Sequence, residues 1–300
     1  MITWGMSKNG HDFAIAVFID SKHVVTISDK GKAHSRTSVY KAMAHGQPNL
    51  VVWYENPYLK SLRQLIAGQP KPFKRNNITK YLSALEITCP WTYVGHHESH
   101  AAAYYKSPFK QHATVVVIDS IGEFDCTTIW DARGDKLKKR YSTRYPHSIG
   151  LFYSAMTDRV GLTPQQDEGV FENMTRASDA HIWPCYDQMH QDFIKCWTPM
   201  PKFKVNFHRG VRHWGQQFSN KEVAVAAGET FDQLVGAVLW KARKLTSSNN
   251  IVISGGVAFN QSIKSLVSDS WDNIYIPPNP SDSGSAEGAV MAYMRNRNGR

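Results

Sequence analysis

The 300-residue chain has few cysteines, and none of Cys89, Cys126, Cys185 and Cys196 forms a C-x-x-C pair. That excludes a thiolate zinc ribbon and a dense disulfide framework, and it fits a reducing cytoplasm. No stretch approaches the ~18 consecutive apolar residues that a spanning helix needs, and the N-terminus shows no charged leader before an apolar run. Neither secretion nor a membrane partner is expected. Repeat periods and low-complexity tracts are absent as well. Acid is scarce relative to base, with 25 Asp and Glu against 35 Lys and Arg, a formal charge of +10. Such a balance favours a polyanion, yet a merely soluble basic surface has the same composition.

What is present describes a globular chain: 42% hydrophobic and 12% aromatic residues, enough for one large domain or two lobes around a cleft. Apolar runs at Ile2 to Met6, Phe13 to Ile19 and Val24 to Ile27, separated by turn formers, predict a three-stranded meander. A helix around Ser38 to His45, a strand at Leu50 to Trp53 and a helix at Leu59 to Ile66 follow. Then comes a polar loop from Gly68 to Asn77. His96 to Tyr105 reads as helix, Val115 to Asp119 as a strand ending in an acid, and Val223 to Lys244 as a long helix. Ile251 to Ser254 is a short buried strand, and the last helix covers Ser285 to Arg295. The two halves share a grammar that suggests a duplicated α/β fold.

Four local patterns bear on chemistry. In His96-His97-Glu98-Ser99-His100 a helix puts His96 and His100 on one face, one turn apart, where both imidazoles can reach one cation; two packed histidines would have the same spacing. The zinc-protease order H-E-x-x-H does not fit, because Glu98 lies midway. Asp119 ends its strand before Ser120-Ile121-Gly122-Glu123, which suits a metal carboxylate beside a phosphate-approaching turn, or a plain turn. Ser254-Gly255-Gly256-Val257-Ala258-Phe259-Asn260 offers close nucleotide approach at a helix start, or again a tight turn. Asp282, in Pro280-Ser281-Asp282-Ser283, is an N-cap or a metal ligand. Basic knots stand at Lys71, Lys74 and Arg75, at Lys136 to Arg140, and at Arg295, Arg297 and Arg300. Arg209, Arg212 and His213 beside Trp214 form a phosphate-and-stacking candidate for nucleic acid, with Trp53, Tyr54 and Tyr58 as further stacking candidates.

Taken in order, "HHESHAAAYYKSPF", "VVVIDSIGEFDCTT", "SIGLFYSAMT", "ISGGVAFNQSIK" and "PPNPSDSGSAEGA" resemble the nodulation-factor and antibiotic O-carbamoyltransferases over nearly the whole chain. The resemblance implies a two-lobed α/β fold of the actin, sugar kinase and Hsp70 superfamily, with lobes expected at residues 1–145 and 146–300. It implies transfer of a carbamoyl group from carbamoyl-adenylate, made from ATP and carbamoyl phosphate, to a hydroxyl. A divalent metal, Fe(II) first, would be held by His96, His100, Asp119 and Asp282. The nucleotide would lie against Gly122, Glu123, Gly255, Gly256, Asn260 and Ser283. The H-D pair implies His11 as base, with Asp12 orienting substrate. His11 also suits a simple turn cap.

Two departures stand out. The family's second, adenylate-forming domain is not seen, so either a separate protein supplies carbamoyl-adenylate or the same cleft makes it. The family's Glu-Gly-Lys lacks its lysine within Asp167 to Met174. Charge then directs the acceptor choice towards DNA, as 5-hydroxymethylcytosine, a primary alcohol. A sugar or antibiotic acceptor is the alternative, and a non-catalytic ATP-binding relative of sugar kinases is another.

Overall fold

The computed structural model describes residues 1–8, 12–30, 36–177 and 182–298. The chain opens with β1 (Ile2–Ser7), β2 (Asp12–Ile19) and β3 (Lys22–Lys30), the expected meander. Its β2–β3 turn holds Asp20 and Ser21 at positive φ, the backbone twist that two-residue hairpins require. Next come α1 (Arg36–Met43), β4 (Leu50–Trp53), α2 (Pro57–Ile66), α3 (Pro72–Arg75), α4 (Ile78–Ala84), β5 (Trp91–Tyr93) and α5 (His96–Ala101). The expected loop over residues 68–77 therefore contains a short helix.

The second half repeats the plan: β6 (His112–Ile118), β7 (Asp125–Arg133), β8 (Lys136–Arg144), α6 (Ile149–Arg159), α7 (Glu168–Thr175), α8 (Trp183–Phe193), β9 (Ile194–Cys196) and β10 (Lys202–Phe203). It finishes with α9 (Asn220–Leu245), β11 (Asn250–Ser254), α10 (Ser262–Ser268), β12 (Asn273–Tyr275) and α11 (Asp282–Asn298).

The two five-stranded sheets have one topology. The first runs β3-β2-β1-β4-β5 and the second β8-β7-β6-β11-β12, each an antiparallel meander extended by two parallel strands. β6 and β11 are buried along almost their whole length, as sheet centres covered on both faces demand.

This topology corrects the expected boundary at residue 145. Strands β6 to β8, placed beforehand with the first lobe, build the second sheet, because β6 pairs with β11 in parallel register. The terminal helix departs in the other direction. α11 packs on β1, β2 and β4 of the first sheet, while its counterpart α5 packs on β6, β7 and β11 of the second. The two helices cross and touch each other. Glycine makes that crossing close: a Cβ at Gly288 would meet the Ser99 carbonyl oxygen at 1.9 Å, and one at Gly5 would meet the Ala286 oxygen at 1.8 Å. Each exchanged helix thus carries its first residue, His96 or Asp282, to the junction of the two halves.

Candidate metal centre and adjoining cleft

Four side chains converge where α5, α11 and the end of β6 meet. His96 Nε2 lies 2.9 Å from Asp119 Oδ2 and 3.5 Å from Asp282 Oδ1. His100 Nε2 lies 3.1 Å from Asp282 Oδ1 and 3.6 Å from Asp119 Oδ2. One donor atom from each of the four lies within 4.8 Å of all the others. The helical spacing read from the sequence brought the two imidazoles onto one face. The fold supplied the carboxylates, from 23 residues and 182 residues away in the chain.

The charges are strongly coupled. Burial pushes the His96 imidazole down, but the charge of Asp282 and the hydrogen bond and charge of Asp119 outweigh it and raise its pKa to about 10. Burial likewise lowers His100, yet the nearby Asp119 carboxylate and the hydrogen bond with Asp282 leave it raised. Asp119, which burial alone would raise, is held well below the usual carboxylate range by the nearby His100 and by its hydrogen bond with His96. A divalent cation would replace the protons that hold these carboxylates together, and two observations support that fit. Asp282 Oδ2, on the carboxylate facing His96 and His100, is buried without a hydrogen-bond partner among the described residues. The donor set, two imidazoles and two carboxylates, is one that divalent first-row metals accept. Glu55 Oε2 stands 3.9 Å from His96 Nδ1, where a carboxylate would orient the ring of a ligating histidine.

The third histidine of the run is used differently. His97 turns to β7, its Nδ1 2.9 Å from Thr128 Oγ1, and burial, with the charge of His96, keeps it well below the usual imidazole range. Gly122 sits against both rings, where a Cβ would meet Cδ2 of His96 and of His97 at 3.0 Å. Glu123 is a scaffold residue: its Oε1 accepts from His96 N–H at 2.9 Å and Asn56 N–H at 2.6 Å, tying the starts of α5 and α2 together.

The glycine-rich turn after β11 reaches the same place. Gly256 N–H donates to Asp119 Oδ1 at 3.3 Å and Gly255 N–H to the Pro280 carbonyl at 2.9 Å. Asn260 is half-buried, donating to the Tyr153 hydroxyl at 3.3 Å and accepting from Ser262 N–H at 3.0 Å. Ser283 is buried and bonded to Ser281 and Asn279. Asp12 begins β2 and is partly buried. His11 lies outside the described residues, as does Arg300.

The nucleic-acid cluster is largely committed elsewhere. Trp214 packs on Phe193 at 4.8 Å between centroids and gives its indole N–H to Asp192, so its ring belongs to the core edge. Arg212 pairs with Asp158 at 2.5 Å, and Arg209 is exposed. Trp53 and Tyr54 are buried, which removes them as open platforms, while Tyr58 is exposed. In the second knot Lys139 and Arg140 pair with Asp125 and Asp131.

A cavity of about 640 Å³ opens beside His96, lined from the first half by Lys8, Tyr54, Glu55, Lys60, Arg63 and Arg75, and from the second by Ser120, Leu151, Asp158 and His208. That volume is in the range of small-molecule sites. Of the four residues of the centre, His96 lines this cavity, and Asp119 keeps 13% of its side-chain surface exposed. Glu55, Lys60 and Arg63 were missed by sequence reading. Their spacing on "YENPYLKSLR" was a signal: Lys60 and Arg63 share one face of α2, three residues apart, and Glu55 just precedes it. Lys60 Nζ is 2.5 Å from Glu55, and Arg63 Nε donates to the Glu123 carbonyl at 3.0 Å.

Solved structures with this architecture include the activator of 2-hydroxyisocaproyl-CoA dehydratase from Clostridium difficile with bound ADPNP, TM-score 0.51 at 10% identity, covering 100% of this chain and 97% of that one. HypF from T. kodakarensis gives a TM-score of 0.52 at 12% identity over 99% of this chain and 48% of that one. These likenesses show the fold, two α/β halves of one topology. Among curated proteins, an uncharacterized protein of Synechocystis sp. is 25% identical, covering 97% of this chain and 57% of its own length. Nodulation protein NolO of Bradyrhizobium diazoefficiens is 28% identical, covering 66% of this chain and 38% of its own length. The chain thus spans about half the length of these relatives. Residues 54–291 match the model of the carbamoyltransferase N-terminus family, and to that family the chain belongs.

Proposed function

We propose that the protein is an O-carbamoyltransferase that moves the carbamoyl group of carbamoyl-adenylate to a hydroxyl, and that the acceptor is 5-hydroxymethylcytosine in DNA. The observation that carries the reading is the convergence of donor atoms from His96, His100, Asp119 and Asp282 within 4.8 Å, next to the cavity that His96 lines and inside the family-matching segment. These four would hold the cation, Fe(II) in this proposal; when bound, it supplies a Lewis acid for phosphate or carbamoyl oxygen.

The remaining steps belong to the chain. The acceptor oxygen attacks the carbamoyl carbon, the bond from that carbon to the phosphate oxygen breaks, and AMP leaves with the electron pair. His11 takes the hydroxyl proton and Asp12 orients the acceptor. Gly122, Gly255 and Gly256, which leave room for close approach, line the nucleotide with Asn260 and Ser283. Glu123 keeps α5, and so His96, in place through the N–H it accepts. Carbamoyl-adenylate comes from ATP and carbamoyl phosphate, either in this cleft or from a partner protein. DNA would approach over exposed Arg209, whose neighbours Phe207, His208 and Gly210 line the cavity.

The 640 Å³ cavity favours a second reading, in which a sugar or other small alcohol is the acceptor. Incubation with ATP, carbamoyl phosphate and Fe(II), with hydroxymethylated DNA in one arm and small alcohols in another, tests both by mass spectrometry. The expected result is one carbamoyl group gained per modified nucleoside, lost in Asp282→Ala and slowed strongly in His11→Asn. Carbamoylation of the small alcohol alone selects the second reading. AMP release with no carbamoylated product in either arm, also when carbamoyl-adenylate is supplied directly, refutes the transfer.

A further inference from the structure

The charge inside the cleft goes beyond the presence of an acceptor and describes its chemistry. Lys8, Lys60, Arg63 and Arg75 line the cavity from one side, against two carboxylates, Glu55 and Asp158. Both acids are already engaged: Glu55 with Lys60 at 2.5 Å, and Asp158 with Arg212 at 2.5 Å. Arg63 is buried and held by the Glu123 carbonyl. Among the described residues, neither Lys8 nor Arg75 has a carboxylate in ion-pair range. The Lys8 ammonium instead sits 3.9 Å over the Tyr81 ring, which also lines the cavity.

The duplicated topology underlines Lys8. It is the residue after β1, as Asp119 is the residue after β6, so the equivalent strand end carries a cation in one half and a metal-facing acid in the other. A cavity with two uncompensated cations, one of them over an aromatic ring, is complementary to an anion attached to a flat or apolar body.

We infer that the cavity beside His96 binds a phosphate-bearing acceptor, with Lys8 and Arg75 holding its phosphate. The identification of the bound molecule as the acceptor rests on the carbamoyl-transfer reading; the anion site itself does not. A nucleoside monophosphate and a nucleic-acid strand both present this chemistry.

Titration calorimetry on the full chain separates the cases with three probes: 2′-deoxycytidine, its 5′-monophosphate, and the tetranucleotide of deoxycytidylate. At least one phosphate-bearing probe is expected to bind about tenfold or more tightly than the nucleoside, the size of a charge-assisted contact. The tighter of the two names the source, free nucleotide or strand. Arg75 is exposed, so Arg75→Gln leaves the core intact. It should remove part of the preference, and Lys8→Gln with Arg75→Gln should abolish it while AMP still binds as in the parent protein. Equal affinity for nucleoside and phosphate-bearing probes overturns the inference. So does a preference that survives the double variant, or AMP binding weakened as much as probe binding, which would assign the cations to the nucleotide. Transfer activity without phosphate preference would sink this inference alone; phosphate preference without transfer would sink the carbamoyl reading and leave the anion site.

Discussion

Replacing Gly288 by alanine tests whether the metal centre depends on the crossing of α5 and α11. The new carbon would stand 1.9 Å from the Ser99 carbonyl oxygen, and ordinary contact begins near 3.4 Å, so one helix must give by about 1.5 Å. The obstacle is backbone, which no rotamer change relieves. Overpacking of this kind costs about 1–3 kcal/mol. A shift of that size also separates Asp282, six residues earlier on α11, from His100, whose contact is now 3.1 Å. Metal sites tolerate only about 0.2 Å of ligand misplacement, so cation affinity should fall with stability. Gly236, inside α9, is the control: nothing lies within 4 Å of its added Cβ. Gly236→Ala should stabilise by about 0.5–1 kcal/mol through helix propensity alone. Urea unfolding and calorimetric titration with Mn(II) or Fe(II) read both quantities. A Gly288→Ala protein with parental urea midpoint and parental cation affinity would refute the argument.

Two other outcomes follow from the charges. Because folded protein alone assembles the four donors, a divalent cation at about 100 times its Kd should stabilise by about 2.7 kcal/mol, read as a rise in Tm that chelator reverses; Asp119→Asn should lose most of that rise. On β7, burial pushes Asp131 up, but hydrogen bonds from Arg140, His112 and Arg133 outweigh it and hold its carboxyl below the usual range. A depressed carboxylate stabilises above its unfolded pKa and loses that contribution as pH falls through the folded value. Asp131→Asn should therefore lower the urea midpoint at pH 7, and the difference should shrink below about pH 4.

Strands with short polar punctuation were readable from local pattern: β1 to β3, β4, β6 and β11 all appear where apolar runs and turn formers put them. The long α9 followed its periodicity and starts at the Ser219 and Glu222 capping box. β7 escaped that reading because it is buried on both faces yet carries Thr127, Thr128 and Asp131; hydrogen bonds that no one-dimensional pattern reveals keep Thr128 and Asp131 inside. Trp214 and Arg212 resembled a nucleic-acid platform in the sequence, whereas packing on Phe193 and pairing with Asp158 engage them.

By itself the sequence determined the helical His96 and His100 pair, since a one-turn spacing needs only local backbone geometry. It also determined the strand ends and glycine turns on which Asp119, Gly255 and Gly256 sit. Only the tertiary structure decided that α11 leaves the half that precedes it and lies across the first sheet, because that exchange depends on Gly288 and Gly5 meeting backbone across the junction. The same crossing brings Asp282 to within 3.1 Å of His100, a proximity between residues 182 positions apart that no local propensity encodes.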